Sequence, residues 1–284
     1  MSAEPPPPGL EGFQAEIAEV ALRAIGLHGF ALAGAGALVA HGVISRPTQD
    51  LDLFGPAEGG PGQVSESLLA ALSGAGCRVQ VLEPAEQHGG EFLRLQVRRD
   101  EHVVDVDVAR DWRQHPPVTM SIGPVLHIED AVASKVAAMV GRGLPRDYID
   151  VAATLSRYNR NDLLRLAFYR DPGLRVLDVA DCMQLLDRLP DAPFADYLLT
   201  DDDVRRVRLS FQDWPRDPDQ DHEGRRIHAL VHQTHGTSAA CLAAPGFPTP
   251  LHDALREGEP GPEFPTRPSR QPPADREQTF RRKS

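Results

Sequence analysis

Two aspartates one residue apart, Asp50 and Asp52, lie in TQDLDLF, where polar and apolar residues alternate from Asp50 to Leu53. On an extended strand, residues two apart leave the same face, so the carboxylates converge on one point. Oxygen donors placed this way suit Mg²⁺, a hard cation that keeps phosphate and water in its remaining positions. The D-x-D spacing recurs at Asp105/Asp107, Asp201/Asp203, Asp217/Asp219 and Asp219/Asp221, and a solvated turn accounts for most such triplets. Two pairs stand apart. Asp50 and Asp52 are embedded among apolar Leu51, Leu53 and Phe54, and Asp105 and Asp107 alternate with Val104, Val106 and Val108. Charge among apolar residues is costly unless it is paired or metal-bound. Two acidic strands in one small sheet point to one shared site.

Other residues can be placed around that site. Gly34 and Ala35 end a strand and open a helix, where free backbone N–H groups and the helix dipole favour an anion, although a turn that merely needs small residues reads the same. Only two of the 30 basic residues are lysines, Lys135 and Lys283. In IEDAVASKVAAMVGRG, Ile128, Val132, Lys135 and Met139 follow the spacing of a buried stripe, so Lys135 faces inward and needs an anionic partner. In RDYIDV, Asp147 and Asp150 are three apart on one helical face and can orient Lys135 or Arg142; Asp147 also suits a helix start after Pro145. Histidines 28, 41, 88, 102, 115 and 127 show no metal-ligand spacing or obvious acid partner and read as structural or surface residues. Cys77, Cys182 and Cys241 form no C-x-x-C pair and read as inert thiols.

The elements that must hold these residues follow from periodicity. Phe13 to Ile25 reads as a helix, residues 30 to 34 as a short buried strand, Ala37 to Ala40 as a small-residue helix, and Asp50 onward as a second strand. A helix near Ser65 to Ser73 precedes strands at 77–83, 92–99 and 102–109. Beyond Pro117 the pattern is helical: 128–140, 146–158, 161–169, 176–189 and 203–212. This divides the chain into a disordered start (1–12), an α/β unit (13–117), a helical unit (118–234) and a disordered tail (235–284) rich in Pro, Gly, Ser, Arg and Glu.

The net charge of −11 argues against a general nucleic-acid binder and makes any polynucleotide contact local. No apolar run approaches the roughly 18 residues of a membrane span, and the N-terminus has no signal-like segment, so a cytoplasmic protein without membrane contact is expected.

The order LAGAGALVAHG, RPTQDLDLF, HVVDVDV, IEDAVASKVAAMVGRG and RDYIDV resembles the AbiEii/AbiGii-type (MenT-like) nucleotidyltransferase toxins of the DNA polymerase β-like superfamily. The resemblance runs from about Phe30 to Val151, and the helical remainder to about Trp214 looks like that family's C-terminal half. It implies an α+β fold, with a polymerase β-like domain built on a small mixed sheet and a helical domain behind it. Carried over, Asp50 and Asp52 are the metal-binding pair. Asp107 is the favoured third carboxylate, with Asp105 of the same parity close behind. Lys135 is the essential lysine, and Asp147 and Asp150 form the RDxxD element. Gly34, Ala35, Arg46, Thr48 and Lys135 would contact the nucleotide. Ala35 departs from the family's Gly-Ser or Gly-Gly turn, leaving phosphate binding there to backbone N–H groups. The implied chemistry is attack of a hydroxyl on the α-phosphate of an NTP oriented by two Mg²⁺ ions, with pyrophosphate leaving. The implied partners are tRNA, whose acceptor end MenT-type relatives extend to stop translation, and a cognate antitoxin. Two alternatives remain open: transfer to a small-molecule or protein hydroxyl, and a catalytically silent nucleotide-binding module. Arginines 157, 160, 165, 170 and 175 could supply a local basic surface for tRNA.

Overall fold

The computed structural model describes residues 10, 12–48, 50–56 and 59–235. Apart from Leu10 and Gly12, the expected disordered start lies outside the described residues, as do the tail after residue 235 and Cys241.

The chain opens with α1 (Gly12–Ile25), which buries Ile17, Ala21, Leu22 and Ile25 at helical spacing. There follow β1 (Ala31–Leu32), α2 (Gly34–Ala40), β2 (Asp50–Gly55), α3 (Pro61–Gly74), β3 (Arg78–Glu83), β4 (Phe92–Arg99) and β5 (His102–Arg110). A hairpin of β6 (Val118–Met120) and β7 (Gly123–Val125) comes next. Helices complete the described chain: α4 (Ile128–Arg142), α5 (Pro145–Thr154), α6 (Arg160–Arg170), α7 (Val176–Arg188), α8 (Ala192–Ala195), α9 (Asp201–Leu209) and α10 (His222–His235). None is long and apolar enough to cross a membrane.

The seven strands form one mixed sheet in the order β3-β4-β5-β2-β1-β7-β6, with β2–β5 and β1–β7 parallel and the remaining pairs antiparallel. Alternation gives the central strands two different faces. Leu51, Leu53, Leu93, Leu95, Val97, Val104, Val106 and Val108 are buried. α3 packs on β3, β4 and β5, and α1 packs on α3, β1 and β7. Each such side chain removed from water contributes about 1.5–3 kcal/mol, so this layer fixes which way the intervening polar residues point.

On the helical side, α4 contacts α2, α5, α6 and α7. It is buried over most of its circumference, with Ala131, Ala133, Ala137 and Ala138 allowing close approach. It stops at Gly143, whose φ of +58° and N–H bond to the Met139 carbonyl (3.0 Å) form a left-handed cap. The sequence pattern missed the β6–β7 hairpin, α8 and α10. It also carried α5 to residue 158, whereas that helix ends at Thr154 and a capping box between Asn159 and Asp162 starts α6.

Candidate active site

β2 and β5 run parallel in a register that sets Asp50 beside Asp105 and Asp52 beside Asp107. All four aspartates therefore occupy the polar face of the sheet. Gly34, the first residue of α2, lies against this floor. Its φ is +54°, and a Cβ there would sit 1.8 Å from Asp52 Oδ2. Only glycine leaves room for that carboxylate. Desolvation, with Asp50 and Asp107 nearby, pushes the Asp52 carboxyl up to about 7, against the opposing pull of Lys135 and Arg146. Asp50 has a looser ion pair with Arg146, at 3.6 Å.

The second acidic strand has closer partners. Arg94 on β4, directly opposite Asp107, donates from Nε and Nη2 to both of its oxygens at 2.6 and 2.7 Å, and from Nη1 to Glu83 at 3.0 Å. Gln96 likewise sits opposite Asp105 and donates to it at 3.1 Å. Asp107 lines the pocket above the floor together with Asp50 and Asp52; Asp105 is not among the lining residues.

Facing the floor is a cationic wall formed by Arg46, Lys135, Arg142 and Arg146. Two buried carboxylates support it from behind. Asp150 receives both Arg46 Nε and Nη2 at 2.7 Å and Lys135 Nζ at 3.0 Å. Asp147 receives Arg142 Nε and Nη2 at 2.9 Å. Both aspartates are completely inaccessible to solvent. Burial opposes ionisation of Asp150, but Lys135 and Arg46 outweigh it and hold the carboxyl below its ordinary value. Lys135 is 7% exposed, in keeping with its inward position on the α4 stripe.

Of the residues expected from sequence, Ala35, Arg46, Asp50, Asp52, Asp107 and Lys135 line this pocket. Gly34 underlies it, and Asp147 and Asp150 hold its wall. Thr48 does not join them: it is buried, with its hydroxyl bonded to Gln14 Oε1 at 3.2 Å and its carbonyl accepting from Gln14 Nε2 at 2.8 Å. Sequence reading missed Arg94, Arg146 and Tyr197. Arg94 was within reach, because it has the parity of the polar face in FLRLQVRR; Arg146 opens the RDYID element. Tyr197 follows the four-residue α8 and carries no periodic signal, yet it lines the pocket beside Arg46, whose guanidinium lies 5.5 Å from its ring centroid.

The five arginines expected to offer a basic surface are engaged within the chain. Arg157 donates to the carbonyls of His41 and Gly42, while Arg160, Arg165, Arg170 and Arg175 pair with Asp221, Asp162, Asp111 and Asp178.

Carboxylates on one side and fixed cations on the other, brought together by a mixed sheet backed by helices, are an arrangement that could meet the two needs of nucleotidyl transfer, and the family of the chain is that of a nucleotidyltransferase. The chain belongs to the nucleotidyl transferase AbiEii toxin family of type IV toxin–antitoxin systems, whose model matches residues 20–227. Among solved structures, JHP933 from Helicobacter pylori is similar at 13% identity and a TM-score of 0.47, covering 78% of this chain and 93% of its own. MenT4, a nucleotidyltransferase toxin from Mycobacterium tuberculosis H37Rv, is similar at 19% identity and a TM-score of 0.47, covering 76% and 91%. No curated protein sequence matches the chain.

Proposed function

We propose that this protein is the toxin of a toxin–antitoxin pair, acting in the cytoplasm with Mg²⁺ to transfer NMP from an NTP to the 3′ end of tRNA and so block translation. The observation that carries the reading is the opposition of the Asp50/Asp52 floor to cations already fixed by buried Asp147 and Asp150. Hard oxygen donors on one strand face, with space kept open over Asp52 by Gly34, fit Mg²⁺. Asp50 and Asp52 would hold it, with Asp107 as third carboxylate once Arg94 shares or releases one of its oxygens. Bound there, Mg²⁺ supplies Lewis-acid polarisation of the phosphate oxygens.

The chain's own residues do the rest. Lys135, Arg46 and Arg142 neutralise the triphosphate, and because their partners are buried they need little rearrangement as charge shifts towards the leaving group. The acceptor hydroxyl oxygen bonds to the α-phosphorus, the bond from that phosphorus to the bridging oxygen breaks, and pyrophosphate leaves. The hydroxyl proton passes to a carboxylate of the floor. Tyr197 offers a ring at the pocket edge on which a base can stack.

One observation favours a second acceptor class. The arginines of the helical half are paired internally and the chain is acidic, so a cationic small molecule or a protein hydroxyl suits the same chemistry. Incubation with Mg²⁺, each labelled NTP and either total tRNA or an RNA-depleted cell extract, alongside Asp52→Ala, tests both readings. Label on tRNA that is absent with Asp52→Ala is expected. Label on protein or a small molecule alone selects the second class, and NTP binding without any transfer points to a silent module.

A further inference from the structure

The start of α4 gathers three metal-ligating side chains that nucleotidyl transfer does not use. His127 precedes the helix, and its Nδ1 accepts from the Glu129 N–H over a long 3.3 Å. His115 arrives from the segment between β5 and β6, placing Nε2 3.2 Å from Glu129 Oε2. That nitrogen is shielded from solvent, yet it lacks the alignment of a hydrogen bond to any group. The two imidazole rings lie 4.3 Å apart. One donor atom from each of His115, His127 and Glu129 falls within 4.8 Å of the others.

The backbone that presents these groups is already fixed. Asp130, 4% exposed, accepts the Gln114 and His115 N–H groups at 2.8 and 2.9 Å. The helix turn that carries Glu129 therefore also anchors the loop that carries His115. These bonds fix the backbone from which His115 and Glu129 reach, the support a metal site needs beneath its ligands.

We propose that His115, His127 and Glu129 bind a borderline divalent cation of the Zn²⁺ class, at a site separate from the carboxylate floor. Two imidazoles and one carboxylate suit Zn²⁺, with bonds of roughly 2.0–2.2 Å and an open fourth position for water. Tetrahedral bonds of that length separate donors by about 3.3 Å. The His115–Glu129 pair already meets this spacing, and side-chain rotation closes the remainder. Coordination of His127 replaces its long contact to the Glu129 N–H. Mg²⁺, which prefers an octahedron of oxygens, does not compete well here. The bound ion ties the β5–β6 connection to α4, the helix that carries Lys135, and so clamps the scaffold of the cationic wall.

Equilibrium dialysis of the full chain against Zn²⁺ in excess Mg²⁺ tests this, with Co²⁺ absorption reporting ligand geometry. One bound equivalent is expected, with an imidazole-type tetrahedral Co²⁺ spectrum. His115→Ala and His127→Ala should each weaken binding by at least about tenfold, and His115→Gln should do so while conserving volume. Zn²⁺ should raise the Tm of the wild type but not that of folded His115→Ala, and Asp50→Asn/Asp52→Asn should keep the ion. The proposal is overturned if wild type binds no Zn²⁺, if the histidine variants bind as wild type, or if the ion is lost instead with the floor variant. Loss with His228→Ala/His232→Ala, whose ring nitrogens lie 3.1 Å apart, would overturn it equally.

Discussion

The floor and the wall of the pocket carry opposite charges and handle them in opposite ways. On the wall, Lys135 and Arg46 meet Asp150 in a dry, closely bonded cluster and the part-exposed Arg142 is held by buried Asp147, while Arg146 reaches across to Asp50. On the floor, Asp52 has two carboxylate neighbours and a raised pKa, while Asp50 has one loose partner. The protein pairs the charges of the wall closely and leaves those of the floor loosely matched, as the proposed metal site requires. Asp107 stands between the two modes, since it faces the pocket while Arg94 holds both of its oxygens.

Removing the floor should cost the most activity and the least stability. Asp52→Ala is expected to lower nucleotidyl transfer by at least about 10³-fold, as loss of a principal electrostatic element does, while metal-free Tm holds or rises because a repulsive carboxylate has gone. A clear fall in Tm would show that the floor is also structural. The wall should behave the other way in thermal or denaturant unfolding. Asp150→Ala strands two buried cations and should cost about 3–5 kcal/mol.

Intermediate effects concern the joints between the halves. Gly34→Ala puts a methyl where Asp52 Oδ2 lies, so about 10²-fold slower transfer is expected from displacement of one floor carboxylate. The fold, followed by circular dichroism, should be retained. Arg94→Gln frees both Asp107 oxygens and should lower the Mg²⁺ concentration for half-maximal activity by about tenfold, in line with about 1.5 kcal/mol for a bond to a charged group. An unchanged requirement would place Asp107 with the wall.

The smallest expected effect is on pH dependence in Mg²⁺-free buffer. The Asp52 carboxyl is raised to about 7, so its contribution to stability is full below about pH 4 and is lost as pH climbs to about 7. The Asp150 carboxyl is depressed, so its contribution is present above about pH 4 and is lost as pH falls through its lowered value. Asp52→Asn should flatten the first slope and Asp150→Asn the second in Tm measured against pH. The same slope lost in both would remove the distinction.

Much of this arrangement was readable in sequence because strand parity and helical spacing are local. HVVDVDVA specifies which residues share a face, and the α4 stripe specifies that Lys135 points inward. The pairing of Asp52 with Asp107 was not readable, since parallel register depends on a long connection through α3, β3 and β4 rather than on either strand. The β6–β7 strands are three residues each, too short for a period, and β7 opens on Gly123 and Pro124. α10 does carry a helical apolar period in Ile227, Leu230 and Val231, but it abuts the Pro- and Gly-rich tail and was missed along with it. Asp150 was expected to orient Lys135, but its bidentate bond to Arg46, 104 residues away, had no local trace.

The matched acidic register of β2 and β5 also bears on how the chain finds its fold. Sliding either strand by one residue would turn its aspartates under α1 and α3 and its leucines or valines outward. Each carboxylate would then lose solvent and ion partners together, at a cost no packing in that layer could offset. The residues proposed to bind metal in the finished enzyme thus also guard against misassembly, and a variant that neutralises all four should fold with more pairing errors even where its native state is more stable.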